Sequence, residues 1–308
     1  MPYVAVLGGK RRDLLETAES RWTTIRHARP ELAPALELQK RLLDEVLRIS
    51  DRLATDGLPR LSMPPKYLAA KLKSGVPVLA GEPVPLPVGA IAPALTRLCD
   101  ALADGGAGDA ALHIRDAIAA GDIESGSLLA ASLARHQAAI RTGATHRGLA
   151  PDLVWLVAEL AVSPFAHAMQ QRLCADARDE TLTGALAAWS RGYCPSCGSW
   201  PALTEVVAGH RTLRCSFCSS GWELPTYACI YCEESGGRFV TVAPDDQRKD
   251  RRIEMCAACG SYLKTMDVSA LSPFPLLSIS DIETTDLDLA AMEHGYQRPA
   301  LKEFATPR

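Results

Sequence analysis

Apolar residues in the first half of the chain recur at the spacing of a helix face. Leu42, Val46, Ile49 and Leu53 lie three or four positions apart, and charged residues occupy many of the positions between them. This pattern predicts an amphipathic helix over residues 32–56, which begins near a leucine and ends before a glycine. The apolar stripe of such a helix must pack against another element.

The same pattern returns along the rest of the first half, so residues 1–190 predict an all-α domain built as a bundle of six or seven helices. Further helices are predicted at 93–103, 110–120, 127–141, 151–160 and 164–186. Residues 72–89 differ, because their four prolines exclude a regular helix. We expect them to form an ordered, extended connection across the bundle surface.

The pattern changes after Trp189, where short strand-like runs alternate with four Cys-x-x-Cys pairs. The first two pairs flank the runs ALTEVV and RTLR, and the last two flank RFVTV and RRIEM. Each unit therefore predicts a cysteine turn, a hairpin and a second cysteine turn. The predicted domains are 1–190, all-α; 191–225, a first cysteine unit; 226–268, a second cysteine unit; and 269–308, a C-terminal extension with a helix near 285–294.

An antiparallel hairpin returns the chain to its starting point, so the two cysteine turns of one unit meet at the same end of the hairpin. Paired thiols in a chain without secretory features typically hold a metal ion. The sequence therefore predicts two four-thiolate metal sites. Site 1 comprises Cys194, Cys197, Cys215 and Cys218, and site 2 comprises Cys229, Cys232, Cys256 and Cys259. An interleaved arrangement, in which the first turn pairs with the third, stays open at this stage.

Two residues between cysteines make a tight turn in which backbone amides point at the sulfurs. Gly198 and Gly260 directly follow the second cysteine of their turns, where a positive φ can be required. Ser219 and Glu233 hold this position in the other two turns, which we expect to be less regular. Zinc and iron both accept four thiolates, and the spacing does not separate them.

The distribution of charge favours some functions of the cysteine units over others. The chain has 308 residues, 47% of them hydrophobic, and a formal net charge of -3. Acidic and basic residues balance over 191–268, and bound thiolates make the region more negative, so a zinc-ribbon nucleic-acid-binding protein is the less favoured alternative. The most apolar run, 153–165, is interrupted and shorter than a membrane span, and the N-terminus lacks a secretory pattern. We expect a cytoplasmic protein without membrane insertion.

Three other groups of side chains have structural interpretations. Trp200, Trp222, Tyr227 and Tyr231 lie beside the cysteine turns and could contact a partner, but small domains usually bury such rings as core. Cys99 and Cys174 lie on apolar helices and are expected to be inert packing thiols. The histidines are scattered without a partner pattern, so no catalytic residue is proposed.

Several stretches resemble the FdhE family of formate dehydrogenase accessory proteins. They are YCPSCGSWP at 193–201, LRCSFCSSGWELPTYACIYCE at 213–233, CAACGSYLK at 256–264 and the closing DIETTDLDLAAMEHGYQ at 281–297. All eight cysteines that the family's motifs contain are present.

The resemblance implies a non-catalytic, chaperone-like protein of the cytoplasm that is needed to form active respiratory formate dehydrogenase. It implies a helical N-terminal domain, two tandem rubredoxin-like units and association with the catalytic subunit of the enzyme before export. It also implies iron, one ion in each four-cysteine site, with zinc as the alternative. A rubredoxin-like electron-transfer or redox-sensing role remains an alternative function, and pairing of the protein with itself stays open.

Overall fold

The structure is a computed structural model, which describes residues 3–6, 8–59, 61, 63–243 and 248–302. The described chain divides into two compact units. The helical unit comprises residues 10–62 and 81–169, and the sheet unit comprises residues within 1–9, 63–80 and 170–304. A helical first part followed by a small sheet with two four-cysteine groups confirms the predicted fold class. The predicted domain boundaries at 190, 225 and 268 stay predictions.

Most of the described residues before the first cysteine turn are helical. In chain order, the α-helices of the described residues are α1 (Arg11–Ala28), α2 (Ala33–Asp56), α3 (Pro65–Lys73), α4 (Val88–Ile91), α5 (Pro93–Leu102), α6 (Gly108–Ala119), α7 (Ser125–Leu133), α8 (Gln137–His146), α9 (Pro151–Gln170), α10 (Glu180–Ala187), α11 (Leu277–Glu283) and α12 (Thr285–Glu293). Helix α2 confirms the prediction for 32–56, and its Val46, Ile49 and Leu53 are buried. Helices α5, α6 and α12 also lie where the apolar spacing predicts them.

The single helix predicted over 127–141 is wrong, because the chain forms α7 and α8 with a break at Arg135. Arg135 has a φ of 62°, which an α-helix cannot accommodate. Its buried guanidinium lies 4.7 Å from the ring of Trp155 and donates to Glu159 at 2.6 Å. The break therefore coincides with a residue whose side chain turns inward to a carboxylate and an aromatic ring.

The predicted interruption between 160 and 164 is also wrong, because α9 continues through Pro164. A proline lacks the N–H that would bond to the carbonyl of Leu160. The hydroxyl of Ser163 donates to that carbonyl instead, at 3.2 Å. The α-helix then continues as a short π-helix at Gln171–Ala175, so the predicted helix over 164–186 is divided.

One helix of the described residues, Pro151–Ala175, is long and apolar enough to cross a membrane by length and composition. However, 61% of its most apolar window is buried inside the protein. This burial is typical of the core helix of a soluble protein.

The strands of the described residues form one sheet. They are β1 (Tyr3–Val4), β2 (Pro201–Val207), β3 (His210–Cys215), β4 (Gly221–Trp222), β5 (Phe239–Val242), β6 (Arg251–Cys256) and β7 (Ser261–Asp267), in the order β1-β4-β3-β2-β7-β6-β5. Antiparallel pairs β2–β3 and β5–β6 confirm the two predicted hairpins. Asp245 and Asp246, in the predicted loop of the second hairpin, lie outside the described residues.

The two cysteine units share this sheet through one parallel pairing. Strand β2 of the first unit lies beside β7 of the second, with Thr204 opposite Thr265 and Val206 opposite Asp267. The short strand β1 forms one edge of the sheet, where it pairs with β4. The units are therefore halves of a continuous structure, which neither the hairpin pattern nor the cysteine spacing predicts.

Ion pairs are buried around this parallel junction. Glu205 and Arg214 are both fully buried and paired with each other. Arg211 binds Glu254 at 2.8 Å, and Lys264 binds Asp288 at 2.6 Å. A buried charge is tolerated only with a partner, so these pairs bring specific positions of the sheet and of α12 together. An apolar cluster of Ile253, Tyr262, Leu287 and Ala291 packs α12 onto the sheet.

The proline-rich segment does not simply cross the bundle surface. Val78 is fully buried, and the N–H groups of Val78 and Leu79 donate to the carbonyls of Pro195 and Ser196, each at 2.8 Å. The ammonium of Lys71 donates to the carbonyl of Val78 at 3.0 Å. Residues 76–80 thus lie against the first cysteine turn, since backbone hydrogen bonds between the two segments offset the burial of their amides.

Candidate metal centres

Site 1 forms where the two cysteine turns of the first unit meet at the end of the β2–β3 hairpin. The sulfurs of Cys194 and Cys218 lie 3.6 Å apart, those of Cys197 and Cys215 3.4 Å apart, and those of Cys197 and Cys218 3.7 Å apart. All four sulfurs lie within 4.8 Å of one another.

Site 2 has the same construction at the end of the β5–β6 hairpin. The sulfurs of Cys229 and Cys259 lie 3.7 Å apart, and those of Cys232 and Cys256 lie 3.6 Å apart. All four sulfurs again lie within 4.8 Å of one another. Each unit therefore gathers its own four cysteines, and the interleaved arrangement does not occur.

These sulfur–sulfur separations fit a metal ion bound by four thiolates, and they exclude disulfides. Four sulfurs about 2.3 Å from one ion in tetrahedral geometry lie about 3.8 Å apart, close to the measured 3.4–3.7 Å of site 1. A disulfide requires about 2.05 Å between sulfurs, and no cysteine of the described residues is joined to another in a disulfide. Both groups could hold a zinc or an iron ion.

All four cysteine turns have the same backbone. The residue after the second cysteine has a φ of 82° at Gly198, 55° at Ser219, 65° at Glu233 and 67° at Gly260. Its N–H donates to the carbonyl of the first cysteine at 2.8–3.2 Å in every turn. The expectation that the second and third turns are less regular is therefore wrong: the hydrogen bond that closes the turn places serine and glutamate in the same left-handed conformation as glycine.

Backbone amides point at the sulfurs, as the turn geometry predicts. The N–H of Ser196 donates to the sulfur of Cys194 at 3.4 Å, and those of Phe217 and Cys218 donate to the sulfur of Cys215 at 3.4 Å each. Such amides partly offset the negative charge of a bound thiolate, which stabilises a site that is net negative even with its ion.

Burial opposes ionisation of most of these thiols. It raises the pKa of Cys215 and Cys218 well above the ordinary value, and it also raises the pKa of Cys229 and Cys232. At Cys256 burial acts in the same direction, but the backbone N–H groups of the following residues outweigh it and lower the pKa. Without a cation the clustered thiols are favoured in their neutral form, which brings no charge to the interior. A bound cation is what makes four adjacent thiolates favourable.

Two serines complete site 1, and the cysteine spacing did not predict them. The hydroxyl of Ser220 lies 3.0 Å from the sulfur of Cys194 and 3.4 Å from that of Cys218, and the hydroxyl of Ser199 lies 3.4 Å from the sulfur of Cys197. Both serines stand two positions after the second cysteine of a turn. This repeated spacing was the signal that could have identified them.

The two remaining cysteines lie outside both groups. Cys99 is fully buried on α5, and burial raises its pKa to about 12. Cys174 lies in the π-helix that follows α9, and its sulfur is 3.2 Å from the hydroxyl of Ser196. Burial likewise raises the pKa of Cys174 to about 12. Both thiols stay protonated near neutral pH. Cys174 nevertheless contacts the first cysteine turn, which its helical position did not predict.

Aromatic rings connect the two sites. The ring of Tyr193, directly before Cys194, lies 5.8 Å from that of Trp200, which lies 5.0 Å from the ring of Tyr231 inside the third cysteine turn. Trp222 is fully buried, as expected for a core ring, whereas Tyr227 is 53% exposed. Edge-to-face contacts of this kind fix the orientation of neighbouring turns.

Together these features define a class of protein: a helical unit joined to a sheet unit that carries two tandem four-cysteine centres of rubredoxin or zinc-ribbon type.

Comparison with known proteins gives the family context. No protein-family model matches the chain. Protein FdhE of Escherichia coli O127:H6 is 32% identical over 121 residues, and protein FdhE of Shigella boydii serotype 18 is 31% identical over 121 residues. Each match covers 38% of this chain and 38% of the relative, so the chain is matched to little more than a third of the length of these curated relatives.

The fold comparison covers the entire chain. The crystal structure of the FdhE protein from Pseudomonas aeruginosa superimposes with a TM-score of 0.59 and 22% identity over 100% of this chain and 99% of that one. The protein therefore has the fold of an FdhE protein, and 38% of its length is similar in sequence to proteins named FdhE. The predicted resemblance to the FdhE family is confirmed.

Proposed function

We propose that the protein is a cytoplasmic accessory factor needed to form active respiratory formate dehydrogenase, and that it binds the catalytic subunit of that enzyme. In this proposal it acts by binding, as a chaperone does, and no residue is assigned a catalytic role. The observation that carries the proposal is the combination, in one chain, of the FdhE fold over its full length with two complete four-cysteine groups.

The test is complementation in a bacterium that lacks its own FdhE protein. Expression of this chain is expected to restore formate dehydrogenase activity of the membrane fraction, and the chain is expected to retain the catalytic subunit in a pull-down. Failure of both with folded protein would refute the accessory role. The pull-down separates a binding failure from a failure at a later step.

We further propose that each four-cysteine group holds one iron ion, with zinc as the alternative. Four thiolates that accept hydrogen bonds from backbone N–H groups suit either ion, and the family resemblance supports iron. Protein purified without oxygen is expected to carry two iron ions per chain, one per group, and to absorb visible light through sulfur-to-iron charge transfer. A colourless protein with the same number of zinc ions would refute the iron assignment.

In this proposal the metal ions hold the client-binding face of the sheet unit in shape. The double variant Cys194→Ser with Cys197→Ser is expected to lose client binding and to fail in complementation. Cys99→Ala is the matched control, because it removes a buried thiol but leaves both groups intact. A double variant that binds the client and restores full activity would overturn the structural role of site 1.

Redox sensing or electron transfer is the second candidate, and one observation favours it: Cys232 of site 2 is exposed to solvent. A nucleic-acid-binding role has less support. The basic residues of the sheet are paired with carboxylates, as in Arg252 with Asp267 and Arg238 with Glu234, which leaves little charge for phosphates. Light scattering of the same preparation tests whether the protein forms a homodimer.

A further inference from the structure

The two four-cysteine groups differ in their access to solvent. Every cysteine of site 1 is buried, with at most 3% of its surface exposed. In site 2 the first cysteine of each turn is buried, Cys229 at 3% and Cys256 at 1%, but Cys232 is exposed and Cys259 is only partly buried. The repeat pairs Cys232 with Cys197 and Cys259 with Cys218, so each of these two ligands of site 2 is more exposed than its equivalent in site 1.

Site 1 is covered by two segments from distant parts of the chain, whereas at site 2 the described contact of this kind is Gln297, which pairs with Ser261 and donates its N–H to the carbonyl of Gly260 at 2.9 Å. Residues 78 and 79 form two backbone hydrogen bonds with the first cysteine turn, at 195 and 196. Strand β1 lies along β4, directly after the second turn. Around site 2, by contrast, Glu233, residues 235–238 and residues 257–258 are exposed. Strand β1 and residues 78 and 79 thus shield site 1 and not site 2.

Hydrogen bonding to sulfur also differs between the sites. At site 1 the hydroxyls of Ser199 and Ser220 lie within 3.4 Å of cysteine sulfurs. The equivalent positions in site 2 are Glu234, whose carboxylate accepts from the N–H of Gly236 at 2.8 Å, and Ser261, whose hydroxyl donates to the carbonyl of Cys259. Neither side chain is directed at a sulfur. Groups that bind the ligands of an ion stabilise the ion and slow its loss.

We propose that site 2 is the exchangeable metal site of the protein and that site 1 is a permanent one. A soft donor from outside, such as a thiolate or imidazole of a partner or chelator, reaches the ion of site 2 at the edge formed by Cys232 and Cys259. The metal–sulfur bond to Cys232 breaks as the bond to the incoming donor forms, and no electron is transferred. This inference rests on the part of the proposed function that places an ion in each group, and it does not depend on the client.

The experiment uses the full chain loaded with Zn²⁺ alone, with 4-(2-pyridylazo)resorcinol as the chelator. Two zinc ions per chain are expected to be bound, and one is expected to leave roughly 10- to 100-fold faster than the other, the range that supporting groups around a metal site contribute. In parallel, the loaded protein is alkylated with iodoacetamide and digested for mass spectrometry. Cys232 is expected to be labelled first, its thiolate displacing iodide, while Cys194, Cys197, Cys215 and Cys218 stay unlabelled.

Matched variants assign the fast and the slow phase of zinc release to the two sites. Cys232→Ser is expected to abolish the fast phase and to keep the slow ion and the helical content. Ser220→Ala is expected to accelerate only the slow phase, because the hydroxyl that it removes belongs to site 1. Ser261→Ala is the control at the equivalent position of site 2 and is expected to leave both rates unchanged.

Three outcomes would overturn the inference. Two ions that leave at one rate would refute it and leave the two-site proposal intact. Labelling of Cys197 or Cys218 before Cys232 would reverse the assignment. Uptake of fewer than two ions by correctly folded protein would refute both the inference and the proposal that each group holds an ion.

Discussion

The helical unit and the sheet unit are stabilised in different ways. The helical unit has an aliphatic core with fully buried residues such as Leu95, Leu98 and Val157. The sheet unit also buries charged pairs and most of its eight paired thiols, with Glu205 and Arg214 at 0% exposure. The helical unit also buries an ion pair, Arg135 with Glu159, but its stability depends mainly on apolar burial, whereas the sheet unit depends more on specific partners, whose loss leaves a buried polar group unsatisfied.

Removal of the metal ions is expected to have the largest effect on this contrast between the units. Structural zinc sites contribute about 10–16 kcal/mol of binding free energy to folding, so the chelated, reduced protein should lose the sheet and retain the helical unit. Hydrogen exchange read by mass spectrometry is the measurement. Peptides from residues 201–267 should lose protection, whereas those of α2 and α5 should keep it. Protected sheet peptides in metal-free protein would contradict the dependence.

The ion pair at the parallel junction is expected to have the next largest effect. Glu205→Gln leaves the guanidinium of Arg214 buried without a carboxylate, and such a loss costs about 4 kcal/mol. Urea unfolding of the metal-loaded protein, followed by tryptophan fluorescence, measures the loss. The double variant Glu205→Leu with Arg214→Met is the matched control, since it removes both charges and should recover much of the stability. A single variant as stable as the wild type would refute the role of the pair.

A cavity in the helical unit should have a smaller effect that is independent of the metal. Leu95 is fully buried on α5, and Leu95→Ala is expected to lower the free energy of unfolding of this unit by about 3 kcal/mol. Helical circular dichroism during urea unfolding gives the value. The same loss is expected with and without bound metal. A loss that depends on metal would mean that the two units unfold together.

The smallest effect concerns the pH dependence of the sheet unit. Burial opposes ionisation of Asp281, but the charges of Arg298 and Lys264 outweigh it and hold its pKa below the ordinary value. A lowered pKa in the folded state stabilises the protein above the unfolded pKa of about 3.9, and this contribution is lost as the pH falls through the folded pKa.

The corresponding measurement compares the wild type with Asp281→Asn across the acid range, so that acid release of the metal affects both proteins alike. The wild type is expected to be the more stable at pH 7, and the difference should disappear as the pH falls below about 4. A difference that stays constant over this range would show that the carboxylate acts through its shape and not through its charge.

Local patterns predicted the elements that depend on neighbouring residues. Helix α2 follows from the spacing of Val46, Ile49 and Leu53, and both hairpins follow from the alternating runs between cysteine turns. Patterns failed where a single side chain changed the local outcome. Arg135 ends a helix by turning inward to Glu159, and Ser163 lets α9 continue through Pro164 by donating to the carbonyl that proline cannot reach.

Residue spacing predicted that each hairpin collects its own four cysteines, because the turn and the hairpin are short-range structures. The tertiary structure then excluded the interleaved arrangement, which spacing had left open. Long-range packing specifies that β2 and β7 join the units, and that β1 and residues 76–80 cover site 1 and leave Cys232 exposed. These contacts join segments far apart in the chain. Their positions are set by the packing of the whole sheet unit, which no local spacing encodes.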